Sequence, residues 1–266
     1  MGLGFAETYT PSLRPEDEPA ALHLDATPWK LPEPISVELT ALRTTLLPSL
    51  VDAVRRNVDA GARRIALFEL ARVYLPGGAL PNERVRVAAI AEGDFFRAKG
   101  VVEAVCSALK AEPAFERAEH PLLHPGKSAR THAGVLGELH PRLLEGTWAA
   151  FELDLDDLFS GSREPVTYED VITYPAVRQD IAVSVPEDVA AGELVAAAQA
   201  AAGLELREIR VFDVYRGEQV GVGRKSVAFS VAYQSSEGTL SEEHATHLRD
   251  AIVAALAERF GAELRT

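Results

Sequence analysis

The sequence predicts an α+β chain in two parts, residues 1–162 and 163–266, the second with the element order βαββαβ. Three observations carry this prediction. Over the last hundred residues, stretches of period-two and helical-period apolar residues follow one another in that order. Small residues and a proline cluster at 160–165 (SGSREP), the best linker candidate, so the division falls near residue 163. The first part alternates strand-like and helical runs, which suits a mixed domain with an antiparallel sheet.

Each element has its own warrant. Residues 11–34, rich in proline and acids, read as a loop, as do residues 76–81 around Gly77-Gly78. Pro48 precedes Leu50, Val54 and Val58, with Gly61 beyond: a helix with proline early and glycine at its stop. Residues 65–74 (IALFELARVY) read as a buried strand and residues 84–91 as an alternating one. Val101, Val102, Val105 and Leu109 fall at helical spacing within residues 96–109, and short strands are expected at 131–136 and 149–155. In the second part, residues 178–185 read as a strand, 190–202 as an alanine-rich helix and 206–215 as a strand. A glycine-rich turn at 217–223 leads into a strand at 225–234. Thr239 stands three residues before Glu242, the spacing of a capping box. The helix beyond carries Leu248, Ile252, Leu256 and Phe260 and stops at Gly261, and residues 263–265 add a last strand. This order is ferredoxin-like.

Composition narrows the function. The chain is 47% hydrophobic and 25% charged, the profile of a soluble globular protein, and no apolar run approaches the ~18 residues of a membrane span. The N-terminus lacks the basic flank and apolar stretch of a signal peptide, and one cysteine, Cys106, permits no internal disulfide framework, so a cytoplasmic address is expected. The net charge is −13; from Val171 onward 9 Lys+Arg stand against 14 Asp+Glu, net −5. Phosphate neutralisation normally needs a basic field, so any RNA must be held by shape, stacking and a few placed arginines.

In a βαββαβ fold both helices cover one sheet face and leave the other available. Alternation sends Val227, Phe229, Val231, Tyr233, Ile181, Val183 and Val185 inward, and Ser226, Ala228, Ser230, Arg178, Asp180, Ala182 and Ser184 outward. The second strand reads either way, but placing Phe212 and Val214 inward sends Asp213 and Tyr215 outward. Small residues, a stacking ring and hydrogen-bonding groups suit unpaired bases, which are read by stacking and by their edges. A solvated face, or one covered by a neighbouring domain, has the same pattern.

The motifs resemble a known family. The segments YPAVRQDIA (174–182), VFDVYRG (211–217), GRKSVAF (223–229), GTL (238–240) and GAELR (261–265) are similar, in order, to the ferredoxin-fold anticodon-binding domain of the bacterial phenylalanyl-tRNA synthetase β subunit. The first part resembles the same subunit's catalytic-like domain in LRTTLLP (42–48), LFELARVY (67–74), FFRAKG (95–100), HPGKSA (124–129) and GELHP (137–141). The resemblance implies a class II synthetase-like antiparallel sheet without aminoacylation chemistry, followed by a tRNA-Phe anticodon-binding domain. It implies a catalytic α subunit as partner in a heterotetramer, with ATP and Mg²⁺ expected on that partner, no cofactor held by this chain and no membrane. Asp213, Tyr215 and Ser226 match the family's positions for anticodon bases. Arg178 and Asp180 are second choices, with Arg178 alternatively pairing Asp180 or Asp213, and Arg265 either contacts RNA or caps the sheet. The likeness begins where the catalytic-like domain begins, so the family's editing modules are expected to lie outside this chain. The stretch at 91–94 is shorter than in the family. A scaffold or protein-interaction paralogue without tRNA binding is the alternative.

Other chemistry is weaker. Cys106 lies on the apolar side of its helix and reads as a buried structural thiol. His120, His124, His132 and His140 match no compact zinc spacing, with His124-Pro125 and His140-Pro141 read as turns. Arg43 and Arg72 read as structural or interface arginines. The pairs Asp156-Asp157 and Glu242-Glu243 read as solvated, and Trp29 and Trp148 as packing locally.

Overall fold

The structure, a computed structural model, describes residues 2–34, 36, 38–160, 168 and 170–265. The expected linker beyond Ser160, and the division near residue 163, lie outside the described residues. The chain forms two compact units, Met1–Val166 and Thr167–Thr266.

In the first unit, β1 (Ala6–Glu7), β2 (Leu13–Arg14), α1 (Glu18–Ala21) and β3 (Ala41–Leu42) lead to α2 (Leu47–Asp59), β4 (Ala66–Leu75) and β5 (Asn82–Glu92). Then follow α3 (Phe95–Ala108), β6 (Glu116–Arg117), β7 (Leu123–Thr131), β8 (Gly134–Leu139), β9 (Trp148–Asp154) and α4 (Leu155–Ser160). Among the described residues one sheet runs β1-β4-β5-β9-β8-β7-β6, antiparallel except at its β1–β4 edge. Alternation on the central strands feeds two cores. Ala88, Ile90 and Ala150 join Leu47, Leu50 and Val54 of α2 on one side. Ala89, Phe151 and Leu153 join Val102 and Cys106 of α3 and Leu158 of α4 on the other. Cys106 is buried, and burial followed by the charge of Glu103 pushes its thiol up.

Two buried carboxylates organise this unit. Helix α2 starts without a side-chain cap of its own. Glu152 on β9 supplies one, accepting from the backbone of Leu46 (3.0 Å) and Leu47 (3.2 Å) and from the Thr45 hydroxyl, and binding Arg86 at 2.7 Å. An anion there satisfies orphan N–H groups and complements the helix dipole. Glu69 pairs with Arg43 at 3.0 Å, both nearly inaccessible, while Arg43 also donates to Arg72 O and Thr10 Oγ1. Arg43 is therefore structural, whereas Arg72 is exposed and pairs with Glu83.

Some boundaries differ from the sequence reading. The strand expected at 131–136 is a hairpin, because the chain turns through His132 and Ala133, with Thr131 Oγ1 accepting from Ala133 N. A Cβ on Gly134 would stand 2.1 Å from Glu152 O, so only glycine fits where β8 meets β9. His124-Pro125 lies within β7 at its register irregularity, not in a turn; β7 itself is missed because Pro125 and Gly126 interrupt its pattern. Strand β2 and helix α1 fall inside the expected 11–34 loop.

In the second unit, β10 (Val177–Pro186), α5 (Ala191–Ala202), β11 (Leu206–Tyr215), β12 (Arg224–Tyr233), α6 (Glu242–Phe260) and β13 (Glu263–Arg265) give the βαββαβ order. The sheet runs β11-β12-β10-β13, antiparallel at every pairing. Val227, Phe229, Val231 and Tyr233 of β12 and Ile181, Val183 and Val185 of β10 pack against Leu194 and Ala198 of α5 and Leu248, Ile252 and Leu256 of α6. The capping box expected at Thr239 and Glu242 is not used. Leu240 packs on the core, so the cap falls on Ser241, whose Oγ accepts from His244 N at 3.1 Å. Gly261 ends α6 at φ 61°, a left-handed stop.

Glu152→Ala should cost about 3 kcal/mol or more in urea unfolding, since it uncaps α2 and takes from Arg86 its 2.7 Å partner, leaving Asp154 at 3.9 Å, whereas Glu103→Ala on the surface of α3 should stay within about 0.5 kcal/mol. Tyr233 is fully buried, and among the described residues its hydroxyl has no hydrogen-bond partner. Burial above all, with Arg249 opposing, pushes its phenol up to about 12. A folded-state value above the unfolded one of about 10 means stability present below pH ~10 and lost as pH rises through about 12. Tyr233→Phe should be neutral or stabilising at pH 7 and should flatten that alkaline loss, as measured by unfolding midpoints across the range.

Candidate nucleic-acid interface

The four strands of the second unit present their second face away from α5 and α6, and their register sets it out in rows. Glu208, Ala232 and Arg178 lie side by side; Arg210, Ser230 and Asp180 form the next row. Asp213, Ala228, Ala182 and Arg265 follow, then Tyr215, Ser226, Ser184 and Glu263. All six site residues expected from the sequence therefore share one face.

They fall into two groups. At one end, the guanidinium of Arg265 lies 5.8 Å from the centre of the Tyr215 ring, reaching across the small residues of the intervening strands. This is cation–π range. Ser226, opposite Tyr215, is only 4% exposed, whereas Tyr215 keeps 41% of its surface open. Arg224 stiffens this end, donating to Ser184 Oγ (2.9 Å), Ser184 O (2.7 Å) and Gly261 O (3.1 Å). At the other end Arg178 pairs with Glu208 at 3.3 Å, across Ala232, rather than with Asp180 or Asp213. Both partners are exposed, so the pair contributes little to stability.

Phe212 overturns the sequence reading. Alternation places it inward; the structure turns it outward, 55% exposed. The register passes from Val211 opposite Phe229 to Asp213 opposite Ala228, which leaves Phe212 as the extra residue of a β-bulge. The bulge also restores Val214 to the inward row and keeps Asp213 and Tyr215 outward. Phe212, Arg178, Asp180, Glu208, Arg210 and Ser230 line a shallow depression of about 310 Å³. The sequence reading missed Phe212, Arg210 and Glu208, and the run VFDVY carries no polar signal that would have marked a bulge.

The face holds Arg178, Arg210, Arg224 and Arg265 against Asp180, Glu208, Asp213 and Glu263, a local balance in a chain of net charge −13. It offers ring surface, carboxylate acceptors and guanidinium donors, the groups that hold unpaired bases and a few phosphates.

The first unit uses its charged groups differently. Asp154 is bidentate to Arg84 (2.9 and 2.7 Å), and although burial acts to raise it, the Arg84 hydrogen bonds hold its carboxyl below the usual range. His120 is held low mainly by burial, with Glu152 opposing. Among the described residues no three His, Cys, Asp or Glu side chains gather into a metal-holding group, and no helix is long and apolar enough to cross a membrane. A hollow of about 550 Å³ lies at the start of α3 beside Phe96 and Lys127.

A four-stranded βαββαβ sheet with one polar, aromatic open face is the fold of the ferredoxin-fold anticodon-binding domains, whose family model matches residues 173–265. Residues 1–155 match the model described as the phenylalanyl-tRNA synthetase beta chain CLM domain. The chain belongs to the phenylalanyl-tRNA synthetase β-chain family. It is 37% identical to the phenylalanine–tRNA ligase beta subunit of Symbiobacterium thermophilum over 95% of this chain and 31% of that protein. It is 33% identical to that of Geobacillus kaustophilus over 99% of this chain and 36% of that protein. The chain thus spans about a third of the length of these relatives. A pyrrolysyl-tRNA synthetase structure from Desulfitobacterium hafniense aligns with a TM-score of 0.46 and 17% identity over 61% of this chain and 66% of that one, too distant a likeness to assign anything.

A Cβ on Gly217 would stand 2.2 Å from the Tyr215 hydroxyl oxygen and 2.5 Å from Cζ. The backbone there is extended, φ −175°, so any residue fits the main chain. Gly217→Ala should therefore shift the Tyr215 ring resonances in an NMR spectrum while moving the thermal midpoint little, because the ring edge must give way.

Proposed function

We propose that this chain is the non-catalytic portion of a phenylalanine–tRNA ligase β subunit, which binds the tRNA-Phe anticodon stem-loop through the open face of its second unit and the catalytic α subunit through its first. The observation that carries this reading is the pairing of Tyr215 with Arg265 on a face where Asp213 stands in the adjacent row. A tyrosine already covered by a planar cation is a platform on which a base can stack, worth roughly 1–3 kcal/mol per base. Asp213 supplies an acceptor for an amino or imino edge. Ser226, being buried, is closed to a base in this arrangement; Arg178 and Asp180 serve the far end of the face. Arg265 both caps the sheet edge through β13 and offers its charge to RNA.

The first unit reads as a class II synthetase-like antiparallel sheet without chemistry of its own. Its central ionised side chains are engaged with one another, Glu152 with Arg86 and Asp154 with Arg84, which suits a structural partner of the α subunit. ATP and Mg²⁺ belong, on this reading, to that α subunit, the assembly being the family's heterotetramer and its compartment the cytoplasm.

The test is binding of the 266-residue chain to tRNA-Phe and to an anticodon-swapped tRNA-Phe at moderate salt. The cognate anticodon should be preferred, Tyr215→Ala should remove the preference, and the salt dependence should be shallow because few phosphates are engaged. Equal binding to both tRNAs, by wild type and variant alike, would defeat anticodon reading and leave the scaffold role.

A further inference from the structure

The bulge in β11 creates a feature that the reading above does not use. Counted back from Val214, alternation would bury Phe212; the extra residue lets Phe212 and Asp213 both face the open side, with the Phe212 ring more exposed than Tyr215. Phe212 stands at the level of Ala228 and Tyr215 at that of Ser226, roughly 7 Å along the strand, so the two rings are separate platforms on one edge. Around Phe212 the chemistry differs from that around Tyr215. Asp180 and Ser230 stand together in one row of the depression, an acceptor and a hydroxyl at its floor. Arg210 completes that row, and Arg178, held by Glu208, closes the end beyond it. A ring wall, a floor that accepts from amino groups and donates from a hydroxyl, and cations at the rim complement a single nucleobase with its phosphate: the base stacks, its edge meets Asp180 and Ser230, and the anionic link lies against Arg210. The chemistry of the depression rules against an apolar peptide, since two carboxylates and two guanidiniums line it beside the ring.

Resting on the RNA-binding reading, we infer that Phe212, Asp180, Ser230 and Arg210 form a second base-binding subsite, which takes an unpaired nucleotide of the same loop next to the one stacked on Tyr215. Phe212 is its stacking residue and Asp180 the group that discriminates by edge.

The test uses the full 266-residue chain and an anticodon stem-loop carrying 2-aminopurine, whose fluorescence is quenched by stacking, at one loop position at a time. Wild type should quench at two positions. Phe212→Ala should abolish quenching at one and Tyr215→Ala at the other, each weakening binding about 5- to 150-fold, while Phe212→Trp should keep both signals. Asp180→Asn should change which base is preferred at the Phe212 position and leave the Tyr215 position alone. Unchanged circular dichroism and thermal midpoint for Phe212→Ala, expected for a side chain more than half exposed, separate lost stacking from lost fold. Loss through Tyr215→Ala with no effect of Phe212→Ala would overturn the second subsite and leave the anticodon reading standing. Absence of stem-loop binding by the unaltered chain would overturn both.

Discussion

Val227, Phe229, Val231 and Tyr233 project from one side of β12 and are buried at 1% exposure or less. The surface of the second unit follows from that packing. These four side chains and their partners on β10 require α5 and α6 on the same side, because the apolar stripes of both helices have nowhere else to be buried. The other face is left uncovered by either helix, tied together by backbone pairing and by Arg224 bonded to Ser184 and Gly261. Small residues in its two middle strands, Ala228, Ala182 and Ser184, leave room for long side chains from the outer strands to lie across it. That is how Tyr215 on one edge strand and Arg265 on the other come within cation–π distance.

The bulge in β11 departs from this regularity to a purpose. A bulge costs ladder pairing and re-aims a side chain. Here it lets Phe212 and Asp213 both face the open side, while Ile209 and Val211 pack on the core. Exposing such a ring on an otherwise polar face has no benefit for folding. Its consequence is a second flat apolar surface beside hydrogen-bonding groups, which is the combination that unpaired bases recognise.

On the proposed RNA-binding reading, an acidic chain faces an electrostatic problem, since the long-range field repels phosphates. The open face answers it locally with four arginines set among four carboxylates, which on that reading leaves recognition to stacking and base edges. Selectivity then comes at the expense of general affinity. The first unit follows the opposite plan. Its carboxylates are turned into the structure: Glu152 caps α2 and holds Arg86, Glu69 holds Arg43, and Asp154 holds Arg84. Removing either member of the Arg43–Glu69 pair leaves an uncompensated buried charge, so these two positions tolerate little change.

The sequence by itself determined the βαββαβ order, the inward set of β10 and β12, the outward place of Asp213, Tyr215, Ser226, Arg178 and Asp180, and the family. Each of these is written in local periodicity or in contiguous motifs, which need no knowledge of distant residues. The tertiary structure alone decided the orientation of Phe212, because a bulge is set by how β11 meets β12 and not by β11 itself. It also decided the pairing of Arg178 with Glu208 and the cap of α2 by Glu152, whose partners lie 30 and about a hundred residues apart in the chain. The same holds for the hairpin at His132-Ala133, where Pro125 and Gly126 hide the preceding strand from any periodic reading. Contacts between residues far apart in sequence leave no local trace, and the parts of the site that depend on them became visible only once the strands were in register.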